Sequence, residues 1–226
     1  MLPEHSAHHA REVLRLRAGA LVRVFDGAGN EYAAVLDAVT RRGVEARLGG
    51  AVMPRPESPL RLVLALSPLK GDRMELVIQK ATELGAAEIH AVVTARTEAI
   101  ARPVLHGARH ERWEKVASGA AEQCGRAVVP LVAPATTLAE LLARPFAGRR
   151  LVLLETPGWP PLSTRPPAAG SGLLVLVGPA GGWEDPEVER LLAAGFEPVS
   201  LGPRILRSET AALAALATAQ ALWGDL

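Results

Sequence analysis

Residues 173–183 read LLVLVGPAGGW, five apolar residues that run directly into a loop with three glycines and a proline. A strand that is apolar on both faces is typical of a parallel sheet covered by helices on both sides. Glycines in the following loop allow a ligand to approach the backbone closely. This stretch therefore predicts an α/β domain with a ligand site at the carboxyl end of its 173–177 strand.

A second strand end of this kind lies at residues 199–210, which read VSLGPRILRSET. Gly202-Pro203 ends the strand, Arg204 and Arg207 flank an Ile-Leu pair, and a helix is expected to begin near Ser208. The usual P-loop, dinucleotide-binding and nucleophile-elbow patterns are all missing from the sequence. The spacing alone fits two readings about equally well: these loops form a ligand site, or they are only tight turns that bind nothing.

The rest of the chain alternates predicted strands and helices on the C-terminal side of a proline-rich break. The break is MPRPESP at residues 53–59, which predicts a linker over 54–59. Residues 1–53 are expected to be mostly β, with a helical stretch over 9–17 and strands over 20–25, 31–36 and 44–48. Beyond the linker we expect strands over 60–66, 89–94, 128–132, 151–154, 173–177 and 198–201, and helices over 72–84, 112–124, 138–143, 186–194 and 208–222.

Composition limits the possible function classes. The 226 residues carry 25 Lys+Arg against 24 Asp+Glu, so any nucleic-acid-binding surface must be local rather than general. Cys124 is the only cysteine, which excludes an internal disulfide and a four-cysteine zinc site. No spacing of His, Asp and Glu residues in the sequence resembles that of a metal site, so we expect none. Neither a signal peptide nor a membrane span is apparent, so we expect a cytoplasmic protein with no membrane partner.

Four segments together resemble the bacterial 16S ribosomal RNA uridine N3-methyltransferase family of the SPOUT superfamily. They are Lys70 with QKATELG at 79–85, AEQCGR at 121–126, GPAGG at 178–182, and LGPRILRSETA at 201–211. Each segment is short, but their order and spacing over nearly the whole chain make the resemblance specific.

The resemblance implies a fold that hydrophobic periodicity does not indicate. Residues 1–53 are expected to form a PUA-like β-barrel that binds RNA. Residues 60–226 are expected to form an α/β SPOUT domain with a deep trefoil knot. The implied cofactor is S-adenosyl-L-methionine, and the implied substrate is 16S ribosomal RNA within the small ribosomal subunit. A homodimer is also implied, and the Ala/Leu-rich 210–222 helix, apolar around most of its circumference, needs burial on all sides.

The same resemblance, combined with the chemistry of the reaction, gives candidate site residues. The catalytic candidates are Arg207, Arg204 and Gln123, because a cation stabilises the anion that develops on uracil and an amide can pair with a uracil edge. The candidate cofactor ligands are Leu154, Glu155, Thr156, Gly178, Pro179, Gly182, Leu201, Gly202, Ile205, Leu206, Arg207 and Thr210. The candidate RNA contacts are Arg11, Arg15, Lys70, Lys80 and Arg126. For Arg204, Arg126 and Lys80 a structural ion pair is the alternative.

One position departs from the family pattern, since the third residue of Gly-Pro-x-Gly-Gly is usually Glu and is Ala180 here. We expect that carboxylate to be dispensable. The alternative is a catalytically silent RNA-binding ribosome-assembly factor of the same fold. A third possibility, an unrelated α/β enzyme acting on a nucleotide or small molecule, is disfavoured by the linker, the β-rich N-terminal residues and the arginine-containing loops.

Overall fold

The computed structural model describes residues 1–97, 103–104, 107, 109–156, 158–165 and 172–226. The chain divides into two compact units. The first contains Met1–Pro56 together with Ala121–Val129, and the second contains Glu57–Ala120 and Pro130–Leu226. The division after Pro56 lies inside the proline-rich segment. No sequence pattern predicts that residues 121–129 group with the N-terminal residues.

The first unit is built on a three-stranded antiparallel sheet. Strands β1 (Leu21–Phe25), β2 (Glu31–Thr40) and β3 (Gly43–Val52) lie in that order. Leu36 and Val44 are fully buried and form a small core with Ala7 of helix α1 (Glu4–His8). A π-helical turn (His9–Val13) continues from α1, so the helical region begins at Glu4 and ends at Val13, earlier at both ends than the predicted 9–17. Arg15 has φ +52°, which is incompatible with continuing the helix.

Backbone pairing explains why residues 121–129 belong to the first unit. Gly27 and Ala28 both form bridges with Val128. The amide of Val129 donates to the Gly27 carbonyl at 3.0 Å, and the amide of Gly29 donates to Ala127 at 3.1 Å. Gly27 has φ +78°, and a Cβ there would lie 3.3 Å from the Val129 side chain, so glycine suits this turn on both counts.

The second unit contains a six-stranded sheet in which every neighbouring pair of strands is parallel. The strand order is β6-β5-β4-β8-β7-β9. The strands are β4 (Leu62–Leu66), β5 (Ala86–Val93), β6 (Leu131–Thr137), β7 (Arg149–Leu153), β8 (Leu173–Val177) and β9 (Glu197–Val199). All five residues of β4 and of β8 are buried, which confirms the parallel α/β sheet predicted from the 173–177 run.

The helices of this sheet follow the predicted pattern closely. They are α2 (Arg73–Glu83), α3 (His110–Cys124), α4 (Leu138–Ala143), α5 (Asp185–Ala193) and α6 (Ser208–Trp223). The strand predicted at 128–132 is misplaced, because residues 127–129 pair with the 27–29 turn and β6 begins only at Leu131. Helix α6 buries one face. There the Gln220 side chain accepts from Ser58 Oγ at 2.8 Å and donates to the Leu84 carbonyl at 2.8 Å.

Candidate active site

The carboxyl ends of β7, β8 and β9 enclose a cavity of about 490 Å³, which we call the strand-end cavity. Its walls come from three stretches of chain, within residues 153–161, 177–183 and 199–211. The two loops that the sequence marked therefore meet at one edge of the sheet, as expected where parallel strands end side by side.

Most candidate cofactor ligands line this cavity. Nine of the twelve do so: Leu154, Glu155, Thr156, Gly178, Pro179, Leu201, Gly202, Ile205 and Leu206. The other three, Gly182, Arg207 and Thr210, belong to the same loops but are not part of the lining. Of the catalytic candidates, Arg204 lines the cavity, Arg207 stands at the exposed start of α6, and Gln123 lies in the first unit.

Trp183 also lines the cavity, and no sequence pattern marks it. Its indole Nε1 donates to the Leu153 carbonyl at 3.2 Å, and its ring packs against the core of the second unit. A Cβ at position 178 would lie only 2.6 Å from this nitrogen. Glycine at 178 is therefore required by the tryptophan beside it, and it leaves the end of β8 as bare backbone.

Backbone hydrogen bonds hold the other two walls together. The Leu154 amide donates to the Val199 carbonyl at 3.1 Å. The amides of Leu162 and Ser200 donate to Ser200 and Pro160, at 2.9 and 3.0 Å respectively. Leu162 is buried, in a 3-10 turn (Leu162–Thr164). The segment after β7 is thus fastened to the segment after β9.

The glycine loop at 178–182 is supported by the segment that follows β5. Arg96, which follows β5, donates from Nη1 to the Gly181 carbonyl at 3.1 Å, and its Nε lies 3.7 Å from Glu184. Glu187 is buried, and its carboxylate accepts from the amides of Ala95 at 2.9 Å and Glu184 at 3.2 Å. This buried carboxylate links the start of α5 to the segment that carries Arg96.

Ala180 lies at the tip of the glycine loop. It is exposed and is not among the residues that line the strand-end cavity. Residue 180 of this chain therefore forms no part of the cavity wall.

The candidate RNA contacts are spread over both units. Arg11 donates to the Thr40 carbonyl at 3.0 Å and pairs with Glu12, while Arg15 and Lys70 are exposed. Lys80 lies 2.8 Å from Glu83, the ion pair that was the alternative for this residue.

A second cavity, of about 470 Å³, lies wholly within the first unit, and we call it the arginine pocket. Arg126, a predicted RNA contact, lines it. The other lining residues were not predicted; they are Arg23, Phe25, Glu31, Arg55, Glu122, Gly125 and Ala127.

The described residues were also compared with the requirements of metal sites and of membrane spans. Within the part of the chain that the structure describes, no three His, Cys, Asp or Glu side chains cluster so as to hold a metal ion. None of the described helices has the length and apolar character that a membrane span requires.

Comparison with known proteins gives consistent matches over the whole chain. A family model described as an RNA methyltransferase domain matches residues 56–220, and one described as an RNA methyltransferase PUA domain matches residues 2–49. The ribosomal RNA small subunit methyltransferase E of Synechocystis sp. is 35% identical over 95% of this chain and 70% of its own length. The Bacillus subtilis protein of the same name is 33% identical over 92% of this chain and 84% of its own.

Similarity extends to solved structures. The crystal structure of a ribosomal RNA small subunit methyltransferase E from Neisseria gonorrhoeae, bound to S-adenosyl methionine, superimposes with a TM-score of 0.89 at 35% identity. The match covers 100% of this chain and 92% of that one.

Proposed function

This chain belongs to the RNA methyltransferase family that includes the ribosomal RNA small subunit methyltransferase E proteins, and from that premise we propose that it methylates N3 of one uridine in 16S ribosomal RNA. It is an RNA methyltransferase whose methyl donor is S-adenosyl-L-methionine. The observation that carries the proposal is the strand-end cavity, in which nine predicted cofactor ligands meet.

The residues of this cavity fit such a cofactor. Its volume of about 490 Å³ lies in the ordinary range for small-molecule sites. Leu154, Leu201, Ile205 and Leu206 give it apolar walls, and Gly178 leaves a wall of bare backbone. We assign cofactor binding to the nine lining residues, and to Gly182, Arg207 and Thr210 of the same loops. When bound, the cofactor supplies an electrophilic methyl group on a positively charged sulfur.

The chain itself contributes charge and position. Uridine N3 is weakly acidic, so its deprotonation leaves negative charge on the uracil ring, and a nearby guanidinium stabilises that charge. We assign this role to Arg207, with Arg204 at the cavity wall as the second cation. Gln123 is assigned to the uracil edge. A uridine within a paired segment would first be extruded from the stack.

We also propose the finer features of the fold. A trefoil knot is supported by the β8-β7-β9 order and by the hydrogen bonds that fasten Ser200 to Pro160 and Leu162. A PUA-like barrel over residues 1–53, joined by a linker at 54–59 to a SPOUT domain over 60–226, is supported by the two family matches.

A homodimer is proposed from helix α6. Leu213, Ala214 and Ala217 are only half-buried and Leu222 is exposed, so apolar surface remains outside the buried face. A second copy of the chain would cover it. Light scattering that gives a monomer mass would contradict this part of the proposal.

RNA binding is assigned to Arg11, Arg15, Lys70 and Arg126, and with less weight to Lys80 because of its Glu83 partner. Ala180 is exposed, which favours an active enzyme that does not need a carboxylate at this position. The alternative, a catalytically silent assembly factor, is less favoured. Ala180→Glu should accordingly change the rate of methyl transfer little.

The direct test is transfer of labelled methyl groups to small ribosomal subunits that lack their native methylation, followed by nucleoside analysis. We expect N3-methyluridine at a single site. A different methylated nucleoside would overturn the uridine assignment. Retained cofactor binding without any transfer would contradict the choice of the small subunit as substrate.

Arg207→Ala should reduce the single-turnover rate of methyl transfer by about 10²–10³-fold, the usual cost of removing one group that stabilises a transition-state anion. The fold should change little, and the rate is measured at saturating S-adenosyl-L-methionine because Arg207 is also an assigned cofactor ligand. The control is Arg190→Ala, which removes the same charge from an exposed position of α5. Equal rates for both variants would remove Arg207 from the catalytic machinery.

A further inference from the structure

We propose that the arginine pocket of the first unit binds one single-stranded nucleotide of the RNA substrate, with arginines on its phosphate and Glu31 on its base. This inference rests on the proposed function and adds a subsite for the RNA that is separate from the strand-end cavity. The pocket has a volume of about 470 Å³, which is sufficient for a nucleotide-sized ligand.

Three guanidinium groups line the pocket, from Arg23, Arg55 and Arg126. A guanidinium presents several N–H groups in a planar array that matches phosphate oxygens. Two carboxylates, Glu31 and Glu122, also line it, so the pocket carries a net excess of one positive charge. Such a balance suits a ligand with one negative group rather than a strongly acidic segment of protein.

Arg55 is held in place before any ligand arrives. Its Nη1 donates at 3.2 Å to the carbonyl of Cys124, the last residue of α3. Its guanidinium also lies against Gly125, where a Cβ would be 3.2 Å from Nη1 and 3.3 Å from Cζ. A fixed side chain loses little conformational entropy when it binds, which makes Arg55 an effective anchor.

Glu31 provides the observation that distinguishes a nucleotide from a simple anion. Its side chain is 13% exposed, and its Oε1 lies 3.6 Å from Arg23. Its Oε2 is buried and accepts no hydrogen bond from any described residue. A buried acceptor without a donor is costly, and a phosphodiester group, which carries no N–H or O–H, cannot satisfy it. Nucleobases carry N–H groups that can donate a hydrogen bond to this oxygen.

Phe25 adds an aromatic ring to the same lining. Bases that are unstacked in single-stranded RNA commonly pack on aromatic side chains or on arginine planes. Cations for phosphate, an acceptor for base N–H groups and a ring for stacking are therefore combined in one pocket.

The test measures binding of a labelled single-stranded RNA and, separately, of cytidine monophosphate to the full-length chain. Arg55→Ala and Arg126→Ala should each raise the RNA dissociation constant about tenfold and reduce the slope of its salt dependence by about one. Glu31→Gln should alter the preference among RNAs that differ in one base, because an amide donates as well as accepts.

The matched control is Arg47→Ala. Arg47 belongs to the same sheet, is exposed, pairs with Asp37 and lies outside the pocket lining. This variant loses the same charge and should raise the RNA dissociation constant less than twofold. Thermal unfolding and the cofactor dissociation constant should match the parent in every variant; if Arg55→Ala does not fold, Arg126→Ala carries the test.

Two results would overturn the inference: pocket variants that bind both the RNA and cytidine monophosphate like the parent, or a loss of RNA affinity in Arg47→Ala equal to that in the pocket variants. These outcomes are separable from a failure of the proposed function, because the titrations require no methyl transfer. A parent chain that methylates subunits while its pocket variants bind RNA normally would remove only the subsite.

Discussion

The two cavities have nearly the same volume but opposite linings. The strand-end cavity, about 490 Å³, is built from apolar side chains and backbone, with Glu155 and Arg204 as its charged residues. The arginine pocket, about 470 Å³, has five charged residues among its eight. An apolar wall with bare backbone suits recognition by shape, whereas paired charges suit a ligand with phosphate. The contrast supports the proposals that the strand-end cavity binds the cofactor and that the arginine pocket binds one nucleotide of the RNA, each by different physical means.

The architecture explains the difference. The strand-end cavity forms where three parallel strands stop, so its walls are strand ends and tight turns fixed by backbone hydrogen bonds. The arginine pocket forms in the unit where residues 127–129, beyond the end of α3, pair with the 27–29 turn that follows β1. Two of the five charged residues, Arg23 and Glu31, leave antiparallel strands, and the other three come from the proline-rich segment, α3 and the turn after α3.

Of the substitutions considered next, Gly178→Ala should raise the dissociation constant for S-adenosyl-L-methionine most, and it should leave the dissociation constant for RNA unchanged. The new Cβ would lie 2.6 Å from Trp183 Nε1, so either the loop or the indole must move. Overpacking of this kind usually costs about 1–3 kcal/mol of folding free energy, so the melting temperature should fall. The displaced loop or indole alters the cavity wall, so the cofactor dissociation constant should rise about tenfold, equivalent to ~1.4 kcal/mol. Calorimetric titration with S-adenosyl-L-methionine checks this, and RNA affinity should remain that of the parent.

The control for this substitution is Gly119→Ala, because a Cβ at position 119 meets no atom within 4 Å. Adding Trp183→Phe to Gly178→Ala should restore part of the cofactor affinity by removing the clashing nitrogen. Unchanged affinity in Gly178→Ala itself would mean that this wall does not contact the cofactor.

Arg96→Ala should have an intermediate effect. The substitution removes the hydrogen bond to Gly181 and the ion pair with Glu184, so the glycine loop loses its support from the β5 side. A hydrogen bond of this kind usually contributes about 0.5–1.5 kcal/mol, which corresponds to a two- to tenfold increase in the cofactor dissociation constant. Arg190→Ala serves again as the control, and an equal effect in both variants would show that charge rather than loop position matters.

Glu140→Gln should have the smallest effect and should leave both ligands unaffected. The amide of Thr137 and the hydroxyls of Thr136 and Thr137 donate to Glu140, and together they lower its pKa to about 2. Because the folded pKa is depressed, this stabilisation is complete above about pH 4.5 and is lost as the pH falls towards 2. The melting temperature of the variant should therefore lie below that of the parent at pH 7, and the difference should shrink below pH 4.5. A constant difference over that range would refute the assigned role.

The parallel sheet and its strand-end site could be predicted from local sequence. The 173–177 strand is apolar at every position because both of its faces are buried, and its glycine loop meets the 199–210 loop at the same sheet edge. The bare wall at Gly178 depends on Trp183, which is close in sequence, but the contact itself is a tertiary feature that no periodicity encodes.

The arginine pocket could not be predicted in the same way. It requires residues 121–129 to pair with the Gly27 turn, about one hundred positions earlier in the chain. The two isolated bridges at Val128 have no sequence pattern, and for the same reason the predicted 128–132 strand begins three residues before β6. Arg55 lies in the proline-rich segment that the sequence marked only as a linker, so its contact with Gly125 was not foreseen.

The most direct test of the division between the cavities is to measure both dissociation constants in two variants of the full chain. One variant is Gly178→Ala and the other combines Arg55→Ala with Arg126→Ala. We predict that the first raises only the constant for S-adenosyl-L-methionine and the second only the constant for single-stranded RNA. A substantial rise of both constants in either variant, with the chain still folded at the temperature of the titration, would contradict separate recognition of cofactor and RNA.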